Sequence, residues 1–145
     1  MNVEVDILLA EDTPSDAEMT IRAIRKTKAV NNIIHVSDGK EAVDFLFGMG
    51  EFAGRDVSKK PKVIILDLKM PRLNGIEVLE RIRANANTRG IPVVMFTSSQ
   101  EDPDIENCYL HGVNSYIVKP VIFDDYTKVV SDLGLYWILH NQCPA

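Results

Sequence analysis

The sequence predicts a single α/β domain built on a parallel sheet with helices on both faces. Three observations carry that reading. Short apolar segments recur at 5–10, 33–36, 63–66, 91–96 and 115–118, and a stretch with helical spacing follows each of them. The third segment, Val63-Ile64-Ile65-Leu66, is uninterrupted and mostly β-branched, the pattern of a strand covered on both faces in the middle of a sheet. The length of 145 residues supports one sizeable core and is short for two ordinary domains, so residues 1–145 are read as one unit.

The first strand, 5–10, runs out into Glu11 and Asp12, adjacent carboxylates whose like charges ask for a cation. Thr13-Pro14 marks a helix start, with Thr13 as cap and Pro14 at the first helical position, where its missing N–H costs nothing. Ala17, Ile21 and Ile24 keep helical spacing. Arg22, Arg25, Lys26 and Lys28 crowd the last turns, where the helix dipole favours cations, and read as a solvated helix end. Asn31-Asn32 breaks the chain before the second strand, and Ser37-Asp38-Gly39 turns it into a helix carrying Ala42, Val43, Leu46 and Phe47. Residues 48–60 hold three glycines and no periodicity, which predicts a long exposed loop, with Phe52 either tucked beneath it or turned toward a partner.

The third strand ends on Asp67. That position overlies the crevice where open α/β sheets bind ligands, although an acid there can also do no more than cap the next helix. Pro71 and Gly75 turn the chain into a third helix that carries Val78, Leu79 and Ile82 inward, with Glu77 and Arg81 spaced for an i,i+4 ion pair. The fourth strand stops at Thr97-Ser98-Ser99. Asp102-Pro103 caps a fourth helix that Gly112 ends, and Lys119-Pro120 directly follows the fifth strand. A last, extended helix at about 124–141 puts Tyr126, Val129, Val130, Leu133 and Trp137 on one stripe, with Leu135, Ile138 and Leu139 near the opposite side. The second apolar face predicts a homodimer, with a tail folded over its own domain as the alternative.

The composition, 46% hydrophobic and 26% charged, is that of a globular protein, and no apolar run reaches bilayer length, so no membrane partner is expected. A net charge of −5 gives no electrostatic reason to bind nucleic acid. The first residues, M-N-V-E-V-D, lack the basic-then-apolar pattern of an export signal, and a cytoplasmic protein is expected. Cys108 and Cys143 have no Cys-x-x-Cys spacing and read as packing or surface residues. His35, His111 and His140 are scattered and read the same way.

Strand order 2-1-3-4-5, the flavodoxin-like (βα)5 doubly wound sheet, is the commonest arrangement of five such units. It brings Glu11, Asp12, Asp67, Thr97 and Lys119 to one carboxyl edge. Phosphoryl transfer onto a carboxylate needs that set. Three acids can hold one Mg²⁺, Lys119 brings a mobile positive charge, the Thr97 hydroxyl is a neutral donor, and Asp67 is the nucleophile that becomes an aspartyl phosphate.

These residues, Glu11-Asp12, the D-x-x-M-P-x-x-x-G run from Asp67 to Gly75, Thr97 and Lys119-Pro120, resemble the receiver domains of two-component response regulators over about residues 5–140. The resemblance implies a phosphoacceptor signalling protein rather than an enzyme acting on other molecules. It implies that Asp67 takes its phosphoryl group from a phosphohistidine on a sensor histidine kinase, with Glu11, Asp12, Asp67 and the backbone carbonyl of Lys69 around Mg²⁺. It also implies a cis Lys119-Pro120 bond, and a switch in which Thr97 and Tyr116 move and the face of the fourth helix, fifth strand and fifth helix changes its partners. The segments F-L-F-G-M-G-E-F-A-G and R-G-I-P-V-V, with Tyr136-Trp137, are similar to the small stand-alone regulators paired with bacterial phytochromes. Lys69 and Ser99 depart from the common receiver pattern and leave the lifetime of the phosphate open.

Three other readings compete. A haloacid-dehalogenase-type phosphatase needs a second acid two residues after its aspartate, where this chain has Lys69. A flavodoxin needs a hydroxyl- and glycine-rich phosphate loop after the first strand, where this chain has the acidic E-D-T-P-S-D. An unphosphorylated interaction module of the same fold would be expected to have lost the acidic pair, the acceptor or the lysine, and all are present.

Overall fold

The computed structural model describes residues 5–26, 32–120, 125, 128–130 and 132. Along them strands and helices alternate: β1 (Ile7–Ala10), α1 (Pro14–Arg25), β2 (Ile33–Val36), α2 (Gly39–Phe47), β3 (Val63–Leu66), α3 (Gly75–Ala84), β4 (Val93–Thr97), α4 (Asp102–Leu110) and β5 (Ser115–Val118), with one 3₁₀ turn, Gly50–Phe52, after α2. The strands pair in parallel in the order β2-β1-β3-β4-β5. This is the predicted topology.

The sheet divides the core in two because successive side chains on a strand point to opposite faces. Leu8, Ala10, Ile64, Leu66, Val93 and Met95 face α2 and α3, where they meet Ala42, Leu46, Val78, Leu79 and Ile82. Ile7, Leu9, Val63, Ile65, Val94 and Phe96 face the other way, onto Ala23 and Ile24 of α1 and onto Val129 and Val130 beyond β5. Each fully buried Leu or Ile here is worth roughly 1.5–3 kcal/mol relative to exposure. Of the predicted last helix, Val129 and Val130 dock on the sheet as expected. Tyr126, Leu133, Leu135, Trp137, Ile138 and Leu139 lie outside the described residues, and so does the face on which the expected dimer depends.

Local chemistry sets the boundaries. β4 begins at Val93 rather than Ile91, since Pro92 has no N–H for the ladder, although its carbonyl still accepts from Ile64 N at 2.9 Å. α3 opens with a reciprocal capping box, the Asn74 side chain on Glu77 N and the Glu77 side chain on Asn74 N. Glu77 is therefore engaged at the helix start, not in the predicted pair with Arg81. In α2 the Asp38 side chain accepts from Glu41 N, and Gly48 ends the helix at φ 67°, in the left-handed region that favours glycine. The 48–60 loop is more ordered than its composition predicts. Arg55 is only 8% exposed; its guanidinium stacks 4.0 Å from the centre of the Phe45 ring and donates to the carbonyls of Phe45, Asp56 and Lys59. Phe52 meets the same ring edge-on at 5.1 Å, which resolves its two readings in favour of the tucked one.

Candidate functional site

Register builds the site. Ala10 pairs with Leu66 across β1 and β3, so the next residues, Glu11 and Asp67, leave the sheet side by side. The Asp67 N–H still donates to the Ala10 carbonyl at 3.0 Å, which holds the two strand ends together. Asp12 follows on the solvent side. One carboxylate oxygen from each of Glu11, Asp12 and Asp67 lies within 4.8 Å of the other two. Glu11 and Asp67 are buried and Asp12 is exposed. Gly75 lets the chain return close beneath this point, since a Cβ there would stand 2.6 Å from the Asp67 carbonyl.

The opposite wall comes from β4 and β5. Thr97 ends β4 almost fully buried and pairs with Val118, so Lys119 is the first residue beyond β5, its N–H donating to the Thr97 carbonyl at 2.7 Å. The Lys119 side chain is 8% exposed. Its ammonium donates to Glu11 Oε1, to Asp67 Oδ2 at 2.7 Å and to Asp16 Oδ2 at 3.0 Å. The structure thus brings together Glu11, Asp12, Asp67, Thr97 and Lys119, as the sequence predicts. One expectation fails: no peptide bond among the described residues is cis, Lys119–Pro120 included. The intrinsic preference of an X–Pro bond is for trans by about 0.5–1 kcal/mol. Here three carboxylates aim the ammonium without help from a cis bond.

Charge and burial compete within the cluster. Burial, above all, pushes the Glu11 carboxyl up to about 7, and the neighbouring Asp67 charge adds to this against the opposing pull of Lys119. For Lys119 burial is the largest single influence and lowers its pKa. Hydrogen bonds and charge from Asp67, Glu11 and Asp16 together outweigh it, so the ammonium is held above its ordinary value. Clustered carboxylate oxygens of this kind suit a hard divalent cation, which prefers oxygen ligands.

Tyr116 and Ser99 form a second layer. Tyr116, half-buried on β5, donates its hydroxyl to the Ser99 carbonyl at 3.0 Å. The Ser99 N–H reaches Thr97 Oγ1 at 3.4 Å, and the Ser99 hydroxyl donates to Asp104 Oδ2 at 2.6 Å. Thr97 and Tyr116 are therefore linked through one short loop. Lys69, three residues past β3, is exposed.

Sequence reasoning missed three participants. Asp16 lies in the first turn of α1, where an acid is ordinary helix-dipole chemistry, and nothing in its spacing singles it out. His35 Nε2 sits 2.9 Å from the Glu11 carbonyl, a contact that only the β1–β2 register reveals. Arg72, at φ 66°, bonds Asp38 at 2.8–2.9 Å and ties the loop after Asp67 to the start of α2.

The sequence and the fold are similar to those of known proteins. Residues 7–131 match the response regulator receiver domain family. The chain is 37% identical over 139 residues to the probable methanogenesis regulatory protein FilR2 of Methanothrix harundinacea, covering 96% of this chain and 87% of that one. Its fold is similar to that of the phosphorylated cyanobacterial phytochrome response regulator RcpA, with TM-score 0.89 and 29% identity over 99% of this chain and 100% of that one. The bacteriophytochrome response regulator RtBRR is 44% identical with TM-score 0.77, over 98% of this chain and 85% of that one. Among the described residues no helix is long and apolar enough to cross a membrane.

Proposed function

Because this chain belongs to the response regulator receiver domain family, we propose that it is a stand-alone phosphoacceptor that takes a phosphoryl group onto Asp67 from the phosphohistidine of a sensor histidine kinase. The observation that carries the reading is Lys119 bridging Asp67 and Glu11 beside the three-carboxylate cluster. In the transfer a carboxylate oxygen of Asp67 bonds to phosphorus as the P–N bond of the donor breaks, and the donor nitrogen keeps the electron pair and takes up a proton. Lys119 Nζ, now 2.7 Å from Asp67 Oδ2, is placed to meet a phosphoryl oxygen, and Thr97 at the end of β4 offers a hydroxyl donor. Mg²⁺, when bound, would be held by the Glu11, Asp12 and Asp67 carboxylates and the Lys69 carbonyl, and it supplies positive charge against the phosphoryl oxygens.

Output follows from the Thr97–Ser99–Tyr116 linkage. Movement of Thr97 toward the phosphoryl group changes what Tyr116 can bond, and with it the face made by α4, β5 and the last helix. α4 exposes Tyr109 and Leu110 beside this face. The likeness to RcpA and RtBRR supports a bacterial phytochrome as the kinase, and the predicted apolar stripe of the last helix supports a homodimer.

Intact-mass analysis after incubation with phosphoramidate and Mg²⁺ tests the acceptor. The expected result is one phosphoryl addition in the wild type and none in Asp67→Asn. Equal labelling of that variant would overturn the assignment. Sedimentation velocity before and after phosphorylation tests the dimer, which a strictly monomeric species at high micromolar concentration would remove.

A further inference from the structure

We propose that Asp16 is a positioning residue for this site, the carboxylate that receives Lys119 when a divalent cation draws Glu11 and Asp67 to itself. The proposal rests on the metal-binding reading above and goes beyond it.

A lysine ammonium has three N–H donors, and here three carboxylates accept from it. Glu11 and Asp67 also belong to the cluster suited to a cation, and Asp16 does not. A cation seated there competes with the ammonium for two of its acceptors and repels it. At 8% exposure the lysine side chain has little water to replace them, and an ammonium left short of partners in such a place is costly. Asp16 is fixed by the first turn of α1, is 28% exposed and already stands 3.0 Å from Nζ. It keeps the ammonium paired and at the rim of the crevice while the cation enters. Without it, Lys119 holds more tightly to Glu11 and Asp67, and the cation binds more weakly.

Calorimetric titration with Mg²⁺ tests this in the wild type, Asp16→Asn, Lys119→Met and the double variant, with thermal unfolding in EDTA to show that each is folded. Asp16→Asn is expected to weaken Mg²⁺ about fivefold when Lys119 is present and less than about twofold in the Lys119→Met background. Asp16→Glu, which keeps the carboxylate, is expected to stay within about twofold of wild type. Equal losses in both backgrounds would mean that Asp16 acts as a remote charge and not through Lys119, and would overturn the proposal. No loss in Asp16→Asn, or a loss in Asp16→Glu as large as in Asp16→Asn, would do the same. The titration reads the cation alone, so failure of Asp67 to accept a phosphoryl group leaves this outcome measurable.

Discussion

Lys119 and Glu11 stand 108 positions apart in the chain and share a hydrogen bond at the carboxyl edge of the sheet. One ammonium thus offsets part of the charge of Glu11, Asp67 and Asp16, the first two of them buried. Lys119→Met removes the cation and leaves its acceptors. The metal-free variant is expected to lose on the order of 2 kcal/mol of stability at pH 8, with Mg²⁺ restoring part of it. Urea unfolding with EDTA and with Mg²⁺ checks both statements.

Glu11 gives a pH dependence whose sign is set by burial. Its folded pKa, about 7, lies above the ordinary 4.5, so the folded state binds more protons between those values and stability contributed by the protonated acid is lost as pH rises through that window. Glu11→Gln cannot ionise. In EDTA the variant should gain on wild type by on the order of 3 kcal/mol as pH rises from 4.5 to above 7. Paired urea titrations across that range measure the difference, and a flat difference would contradict the burial of this charge.

Arg55 organises the loop before β3 through three backbone carbonyls and the Phe45 ring. Arg55→Met is expected to cost about 2–3 kcal/mol, and Arg55→Lys to recover less than half of that, because a point-charge ammonium cannot span the same acceptors. The loop enters β3 at the end opposite Asp67. Phosphoramidate labelling of Arg55→Lys should therefore match wild type while its unfolding midpoint falls.

Cys108 is fully buried, and burial, with the Asp104 charge adding to it, pushes its thiol up to about 11 from 9.0. The fold favours the protonated thiol, a contribution that fades as pH rises from 9.0 toward about 11. At pH 8 only about one thiol in a thousand is thiolate. Peptide mapping after iodoacetamide treatment at pH 8 should find Cys108 unmodified in the native protein and modified in urea.

Much of this was legible in the residues. Uninterrupted apolar runs ending in an acid, a hydroxyl or a lysine mark strands and the edge where their ends gather, and Thr13-Pro14 and Gly75 mark the turns. Individual side-chain pairings between distant residues were not legible, beyond the gathering of strand ends at one edge. Arg83 at the end of α3 donates to the carbonyls of Gly112, Arg89 and Ile91 and to Asn114 Oδ1, and no local spacing announces four such acceptors. The expected Glu77–Arg81 pair gave way to a capping box because an unpaired N–H at a helix start has a stronger claim on a nearby carboxylate than a solvated cation does.

The sequence by itself determined the alternation of strand and helix and the identity of the residues at the strand ends, because hydrophobic periodicity and chain punctuation are local properties. Only the tertiary structure decided that Ala10 lies beside Leu66, that Asp16 joins the lysine and that Lys119–Pro120 is trans. Register, burial and the partner an ammonium finds depend on segments far apart in sequence, and their energies exist only once those segments are packed together.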